Sequence, residues 1–331
     1  MEIKAADVAK LRQMTGAGMM DCKKALVEAN GDYERAKEII REKGKLVAAK
    51  RADRETSEGR VIAKVNGDKA IVVGLGCETD FVAKNEEFKA LAEAIADAAI
   101  ASFPADKDAL MACVLADGRT VEAAVTEQTG KTGEKHQIAG YEVVEAPYIV
   151  AYMHNVTGKL AAVVGFNKEF DAQVAKGVAM QVASMNPVAV SAESVPQSVI
   201  DTELKTATEK TKEELVQKAV DAALSKASIN PAHVDSEAHT ESNTAKGWIT
   251  PEQAEQAREI IKTVSAEKAA NLPEQMVANI AKGRLQKFFK EQTLEEQGYQ
   301  MGDGKTSVKD VMKAADAEAK IVTFKRLSLA D

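Results

Sequence analysis

Two stretches of this chain repeat one pattern, and that pattern limits the folds open to it. The first is Val61-Ile62-Ala63-Lys64-Val65, a turn at Asn66-Gly67-Asp68, then Ala70-Ile71-Val72-Val73-Gly74-Leu75. The second is Tyr148-Ile149-Val150-Ala151-Tyr152, a turn at Asn155-Val156-Thr157-Gly158, then Leu160-Ala161-Ala162-Val163-Val164-Gly165-Phe166. β-Branched runs on either side of a glycine-containing turn specify hairpins, because the turn needs backbone angles that glycine permits. Each hairpin runs on into an alanine-rich helix, near 86–101 and near 170–184. A duplicated hairpin-plus-helix unit is the simplest account, and two such units can pair pseudo-symmetrically into an α+β core.

The segments around that core are helical. Over residues 3–44 the sequence predicts three short helices. Val8, Leu11 and Met14 form the apolar stripe of the first, and Thr15-Gly16-Ala17-Gly18 ends it. The second runs from about Met19 to Ala29, where Asn30-Gly31 stops it. Asp32 is placed to N-cap the third, which carries Ala36, Ile39 and Ile40. So small a module needs a neighbour to lean on or serves as an interaction module. Residues 45–58 are charged and lack periodicity, which predicts a tether.

Farther on, Lys212 to Ala227 predicts a helix with Leu215, Val216, Val220 and Leu224 on one side. The polar stretch 229–247 reads as an exposed loop, and Thr250-Pro251-Glu252-Gln253 starts a new helix with proline at its first position and a capping box. Together these make an inserted helical hairpin, either a site of self-association or partner contact or simply a solvated projection. From Pro273 a helix is expected with Met276, Val277, Ile280 and Phe288 buried. After the Gly302-Asp303-Gly304 turn come a short helix, 306–317, and a strand, Ile321-Val322-Thr323-Phe324, able to extend the second hairpin. The expected division is 1–55 (module and tether), 56–140 and 141–200 (the core halves, the second completed by 271–331), 201–270 (the insert) and 271–331 (C-terminal helices and closing strand).

Composition narrows the function. With 45% hydrophobic residues in 331 a sizeable core can be buried, while 4% aromatics point to closely packed alanine-rich helices. A net charge of −7 argues against non-specific nucleic-acid binding. The basic cluster Arg41, Lys43, Lys45, Lys50, Arg51 and Arg54 is the exception, read as a solvated helix end or as a polyanion patch. Cys22, Cys77 and Cys113 are odd in number and far apart, offering neither a disulfide framework nor a CxxC motif, which suits a reducing cytosol. No apolar run approaches the roughly 18–20 residues that span a bilayer, and Met1-Glu2-Ile3-Lys4 leads straight into a helix without a signal segment. A cytoplasmic protein is expected.

Catalytic motifs are missing. There is no GxxxxGK[ST], Gly74-x-Gly76 lacks the third glycine of a dinucleotide fingerprint, and Gly16-x-Gly18 follows a helix rather than a strand. His136, His154, His233 and His239 sit in separate segments without metal-ligand spacing. No GxSxG elbow occurs, and the carboxylates are spread along helical faces. The reading is a non-enzyme with neither cofactor nor metal, acting by binding.

Two segments give that reading a direction: Thr15-Gly16-Ala17-Gly18-Met19-Met20-Asp21-Cys22-Lys23-Lys24-Ala25-Leu26, and Cys77-Glu78-Thr79-Asp80-Phe81-Val82-Ala83-Lys84 directly after the first hairpin. In this order and spacing they closely resemble the elongation factor Ts family, as does Gly283-Arg284-Leu285-Gln286-Lys287-Phe288 near the C-terminus. The resemblance covers most of the chain outside about 205–270. It implies a ubiquitin-associated-like N-terminal module and an exchange factor that opens the GTPase elongation factor Tu and lets GDP leave, with no nucleic acid or membrane involved. By position, Arg12, Met19, Met20 and Lys23 would dock on the partner's nucleotide domain. Asp80 and Phe81 would wedge between its helices and disturb the magnesium site and phosphate loop. Lys131-Thr132-Gly133-Glu134 matches a further contact loop more loosely, giving Thr132 and Gly133 as contacts. Where the family usually carries a histidine in the second core half, this chain has Gln181.

From the residues alone the Met19-Met20 pair stays open between ordinary core packing and a division in which Met20 serves the core and Met19 a partner, Met being flexible and polarisable enough for adaptable contacts. Phe81 after a strand end would ordinarily be core, and the resemblance reverses that expectation. Two rival readings remain open: an adaptor binding a ubiquitin-like protein through residues 1–44, and an alanine-rich enzyme with an unrecognised cofactor site. The insert is also a candidate homodimer contact.

Overall fold

A computed structural model describes residues 3–330. They fall into two compact units, one from residues up to Val190 together with those from Gln297 onward, the other Ser191–Glu296.

The first unit opens with α1 (Ala5–Thr15), α2 (Met19–Glu28) and α3 (Tyr33–Lys50). Val8, Leu11, Cys22, Ala25, Leu26, Ala36 and Ile40 form their shared core. Asp32 caps α3 as expected, accepting from the Glu34 and Arg35 amides at 2.9 and 3.1 Å. Met14 does not join the stripe. The buried position is Thr15, whose hydroxyl donates to Leu11 O, and Met14 is exposed. Nor is 45–50 a tether, since α3 continues to Lys50. Gly44, immediately before that extension, is buried against α7 (below), so tertiary packing rather than local periodicity carries the helix on.

Strands β1 (Glu58–Asn66) and β2 (Lys69–Cys77) form the first hairpin. The one-turn helix α4 (Asp80–Ala83), then α5 (Glu86–Ser102), α6 (Lys107–Ala112) and α7 (Val121–Thr132) follow. Strand β3 (Gln137–Glu145) comes back antiparallel on β2, with Val73 opposite Tyr141, and makes the sheet β1-β2-β3. The central strand β2 is buried on both faces. Ile71, Val73 and Leu75 face Phe88, Leu91 and Ile95 of α5, while Ala70 and Val72 face the second sheet. Alternation at period two divides one apolar run between two cores.

The second sheet is β4 (Tyr148–Met153), β5 (Leu160–Phe166) and, from the far end of the chain, β6 (Ile321–Ser328), in the order β4-β5-β6. The closing strand thus extends the second hairpin as expected, with Val164 opposite Phe324. Helix α8 (Ala172–Met185) packs on β4 and β5, and the two sheets meet through Val61, Ala63, Val144, Ile149, Ala161 and Val163.

The second unit contains α9 (Gln197–Lys226), α10 (Glu237–Ala245), α11 (Pro251–Ala270) and α12 (Glu274–Gln292). α9 is paired with both α11 and α12. Thr250 and Gln253 form the expected capping box, at 3.1 and 2.9 Å. The stretch 229–247 is not an exposed loop: it includes α10, and Ile229 and Val234 are buried with Val220 and Leu224. Along α12 the buried residues are Val277 and Ala281, while Met276 and Ile280 are exposed and Phe288 is half-buried. That stripe is set by small residues, and a search for large apolar ones missed Ala281. Helix α13 (Val308–Ala315), capped by Ser307, returns the chain to the first unit. Among the described residues no helix is long and apolar enough to cross a membrane.

Candidate partner-binding site

The site is built where β2 ends. Cys77 is buried and its thiol donates to Thr79 O at 3.3 Å, while burial pushes its pKa up to about 12, so it is a packed, inert thiol. The chain then turns into α4. Val82 and Ala83 pack against the core of the first sheet, which leaves Phe81, one step earlier on the turn, pointing outward and 83% exposed. An apolar ring in that position contributes almost nothing to folding. Beside it Asp80 is ion-paired with Lys84 at 2.6 Å, and the hydrogen bond from that ammonium holds the Asp80 carboxyl below its ordinary range.

Two glutamates fasten this turn to the segment after α7. The Glu134 carboxylate accepts from both donors of Thr79, the hydroxyl at 2.7 Å and the amide at 3.1 Å. Glu78 accepts in the opposite direction, from the Lys135 amide at 2.6 Å, and pairs with Arg51 at 2.8 Å. Burial works against ionisation of Glu78, but the Lys135 amide and Arg51 outweigh it and hold the carboxyl below its ordinary value. The Lys135 ammonium donates to the carbonyls of Ala52 and Arg54, just beyond α3. His136 completes the segment. Its Nδ1 donates to Glu134 O at 2.9 Å, its ring lies 5.6 Å from that of Phe88, and burial pushes its pKa down.

The other predicted contacts lie on the same compact unit. Arg12, Met19, Met20 and Lys23 are all exposed, Met19 at 42% and Met20 at 64%. Met20 is therefore not a core residue. α2 buries Cys22, Ala25 and Leu26, and Met20 lies on the opposite side. Val27, exposed at 57%, joins Met20 and Lys23 on that outward face at helical spacing. Sequence reasoning missed it, though the i, i+3, i+7 spacing from Met20 was the available signal. Thr132 is exposed, and Gly133 caps α7 with φ +73°. The Lys131 side chain lies over Gly16, where a Cβ would come within 2.5 Å of its Cε, so the 131–134 segment and the 15–18 turn adjoin.

Gln181 stands apart. Its side chain is fully buried, donating to Gln297 Oε1 at 3.1 Å and Gly298 O at 3.2 Å and accepting from the Gln300 amide at 2.9 Å. Contrary to its place among the expected contacts, it has no surface to offer a partner. Among the described residues no group of three or more His, Cys, Asp or Glu is arranged to hold a metal.

The family model described as elongation factor TS matches residues 78–331. The chain belongs to the elongation factor Ts family. Curated relatives named elongation factor Ts include those of Phocaeicola vulgatus and Bacteroides fragilis, each 56% identical over 329 residues, and that of Porphyromonas gingivalis, 39% identical over 329 residues. In every case 99% of both chains is covered, so the family relationship takes in the three-helix segment that precedes the matched model.

Proposed function

We propose that this protein is a guanine-nucleotide exchange factor: it binds elongation factor Tu carrying GDP and promotes GDP release by disturbing the partner's magnesium and phosphate site, in support of translation elongation in the cytoplasm. The observation that carries the proposal is Phe81, an apolar ring left 83% exposed on a turn held by half-buried neighbours and two carboxylates. Such a ring is placed for another protein. On this reading Phe81 and Asp80 enter the GTPase, while Arg12, Met19, Met20 and Lys23, on a module of ubiquitin-associated type, dock on its nucleotide domain. Thr132 and Gly133 add a contact beside them. The two sheet-and-helix halves are read as copies of one ancestral unit, and the inserted helical hairpin, 201–270, as a place for self-association. Neither nucleic acid, cofactor nor catalytic chemistry enters the mechanism.

Energetically, binding alone suffices. An exchange factor must prefer the nucleotide-free partner, and by reciprocity each tenfold preference weakens GDP tenfold, or about 1.4 kcal/mol. Fully burying one large apolar side chain contributes roughly 1.5–3 kcal/mol, so Phe81 alone accounts for about one to two such factors. The test is release of fluorescent GDP from elongation factor Tu with and without the protein, beside Phe81→Ala. Fast release that the variant largely loses supports the function and the wedge together. Fast release by both moves the mechanism to other contacts, and no acceleration by the wild-type chain overturns the proposal.

A further inference from the structure

The Phe81 ring packs on almost nothing, so its own side chain does nothing to fix its direction. Nor does α4 order itself. One turn of helix is below the length at which a helix is stable alone, and its own capping bond, from the Val82 amide to the Thr79 hydroxyl, is long at 3.5 Å. The turn is held from outside. Val82 and Ala83 anchor its far end, and at its near end both hydrogen-bond donors of Thr79 go to the one carboxylate of Glu134. Bonds to an ionised acceptor are among the strongest a side chain makes. The exchange is reciprocal: Glu134 takes the amide of the residue after Glu78, and Glu78 takes the amide of the residue after Glu134. Arg51 on Glu78, and the Lys135 ammonium on the carbonyls of Ala52 and Arg54, tie the end of the three-helix module into the same clasp.

We infer that Glu134 is a positioning residue for the Phe81 wedge: its grip on Thr79 fixes the direction in which α4 presents the ring, in register with the three-helix module that Arg51 ties to Glu78. This rests on the exchange reading above. Without the clamp the turn has many orientations to lose when a partner closes on it, and that ordering cost weakens the productive complex. The cores on either side do not depend on Glu134, so the protein stays folded.

One arm of the test needs no partner. In hydrogen exchange on the free protein, Glu134→Ala raises the exchange rate of the Val82–Lys84 amides at least tenfold, with β2 protection unchanged. Glu134→Gln, which keeps one acceptor oxygen, gives an intermediate rate. Unchanged protection in Glu134→Ala overturns the inference. The second arm is GDP release from elongation factor Tu at saturating factor. Glu134→Ala slows it about tenfold in the wild-type background and less than twofold in the Phe81→Ala background, because a residue that acts through Phe81 has nothing to position once the ring is gone. Thr79→Ser retains the wild-type rate and Thr79→Val loses part of it. An equal effect of Glu134→Ala in both backgrounds overturns the inference and leaves the exchange function standing. If the wild-type chain itself releases no GDP, the exchange reading fails and takes this one with it.

Discussion

Gly44 of α3 and Gly130 of α7 meet backbone to backbone: a Cβ built on Gly130 would lie 3.1 Å from the Gly44 Cα, and one on Gly44 would lie 3.1 Å from the Thr126 carbonyl oxygen. Neither helix has a flexible side chain there to move aside. This crossing seats the three-helix module on the first sheet's helices. Gly44→Val adds three carbons at the contact and forces the helices apart, at a cost of about 1–3 kcal/mol. Urea unfolding followed by circular dichroism will read the loss. A midpoint equal to that of the wild type would show that the crossing opens at little cost.

Phe81 and Phe88 are seven residues apart and belong to different balances. Phe88 is fully buried against the first sheet and Phe81 is in water. Phe88→Ala should cost about 3–5 kcal/mol of stability. Phe81→Ala should change stability by no more than about 0.5 kcal/mol, as an exposed substitution does, while removing most of the acceleration of GDP release. The pair of unfolding curves measures the contrast directly, and a large loss of stability in Phe81→Ala would mean that the ring packs on its own chain.

His136 makes the first unit acid-sensitive. With its Nδ1 proton given to Glu134 O, the other ring nitrogen, Nε2, is buried with no hydrogen-bond partner among the described residues. Burial holds the folded-state pKa below the ordinary value of about 6.5. The contribution of the neutral ring is therefore fully present above about pH 6.5 and is lost as pH falls toward the folded value, because the unfolded chain takes up a proton that the folded one refuses. The slope reaches at most about 1.4 kcal/mol per pH unit. Stability measured from pH 7 to 5 should fall more steeply in the wild type than in His136→Asn, and parallel curves would place the titration elsewhere.

Much of this could be read before the fold was seen, and the failures share a cause. Both hairpins, the Asp32 cap and the Thr250–Gln253 capping box are specified by residues near each other in sequence, so local pattern finds them. The end of α3, the interior of 229–247 and the α12 stripe are decided by what packs against them, through small residues such as Gly44 and Ala281 that carry no hydropathy signal. The site divides the same way. The exposure of Phe81 was legible only through the family resemblance, and Glu134, although inside a quoted motif, gave no sign of its hold on Thr79 across 55 residues. Which way Met20 looks is set by how α2 packs on α1 and α3, burying Cys22, Ala25 and Leu26, and that packing is not written in the periodicity of α2 itself.

Gln181 gives the last prediction, and it turns on what a buried amide can do. Each polar group of its side chain is engaged inside the first unit, and beside it Gly177 leaves room for the Tyr299 ring, whose hydroxyl would stand 1.8 Å from a Cβ there. The 297–300 segment is thus seated on α8 by a hydrogen-bonded carboxamide and a ring in a glycine notch. Gln181→Ala removes the acceptor of the Gln300 amide and the donor to Gly298 O, for a cost of about 1–3 kcal/mol. Gly177→Ala unseats the ring and costs a similar amount, about 1–3 kcal/mol, by overpacking. If Gln181 is purely internal, its alanine variant should unfold at lower urea yet leave the factor concentration for half-maximal GDP release within twofold. A variant of unchanged stability that needs ten times more factor would show instead that the carboxamide leaves its pocket and meets the partner.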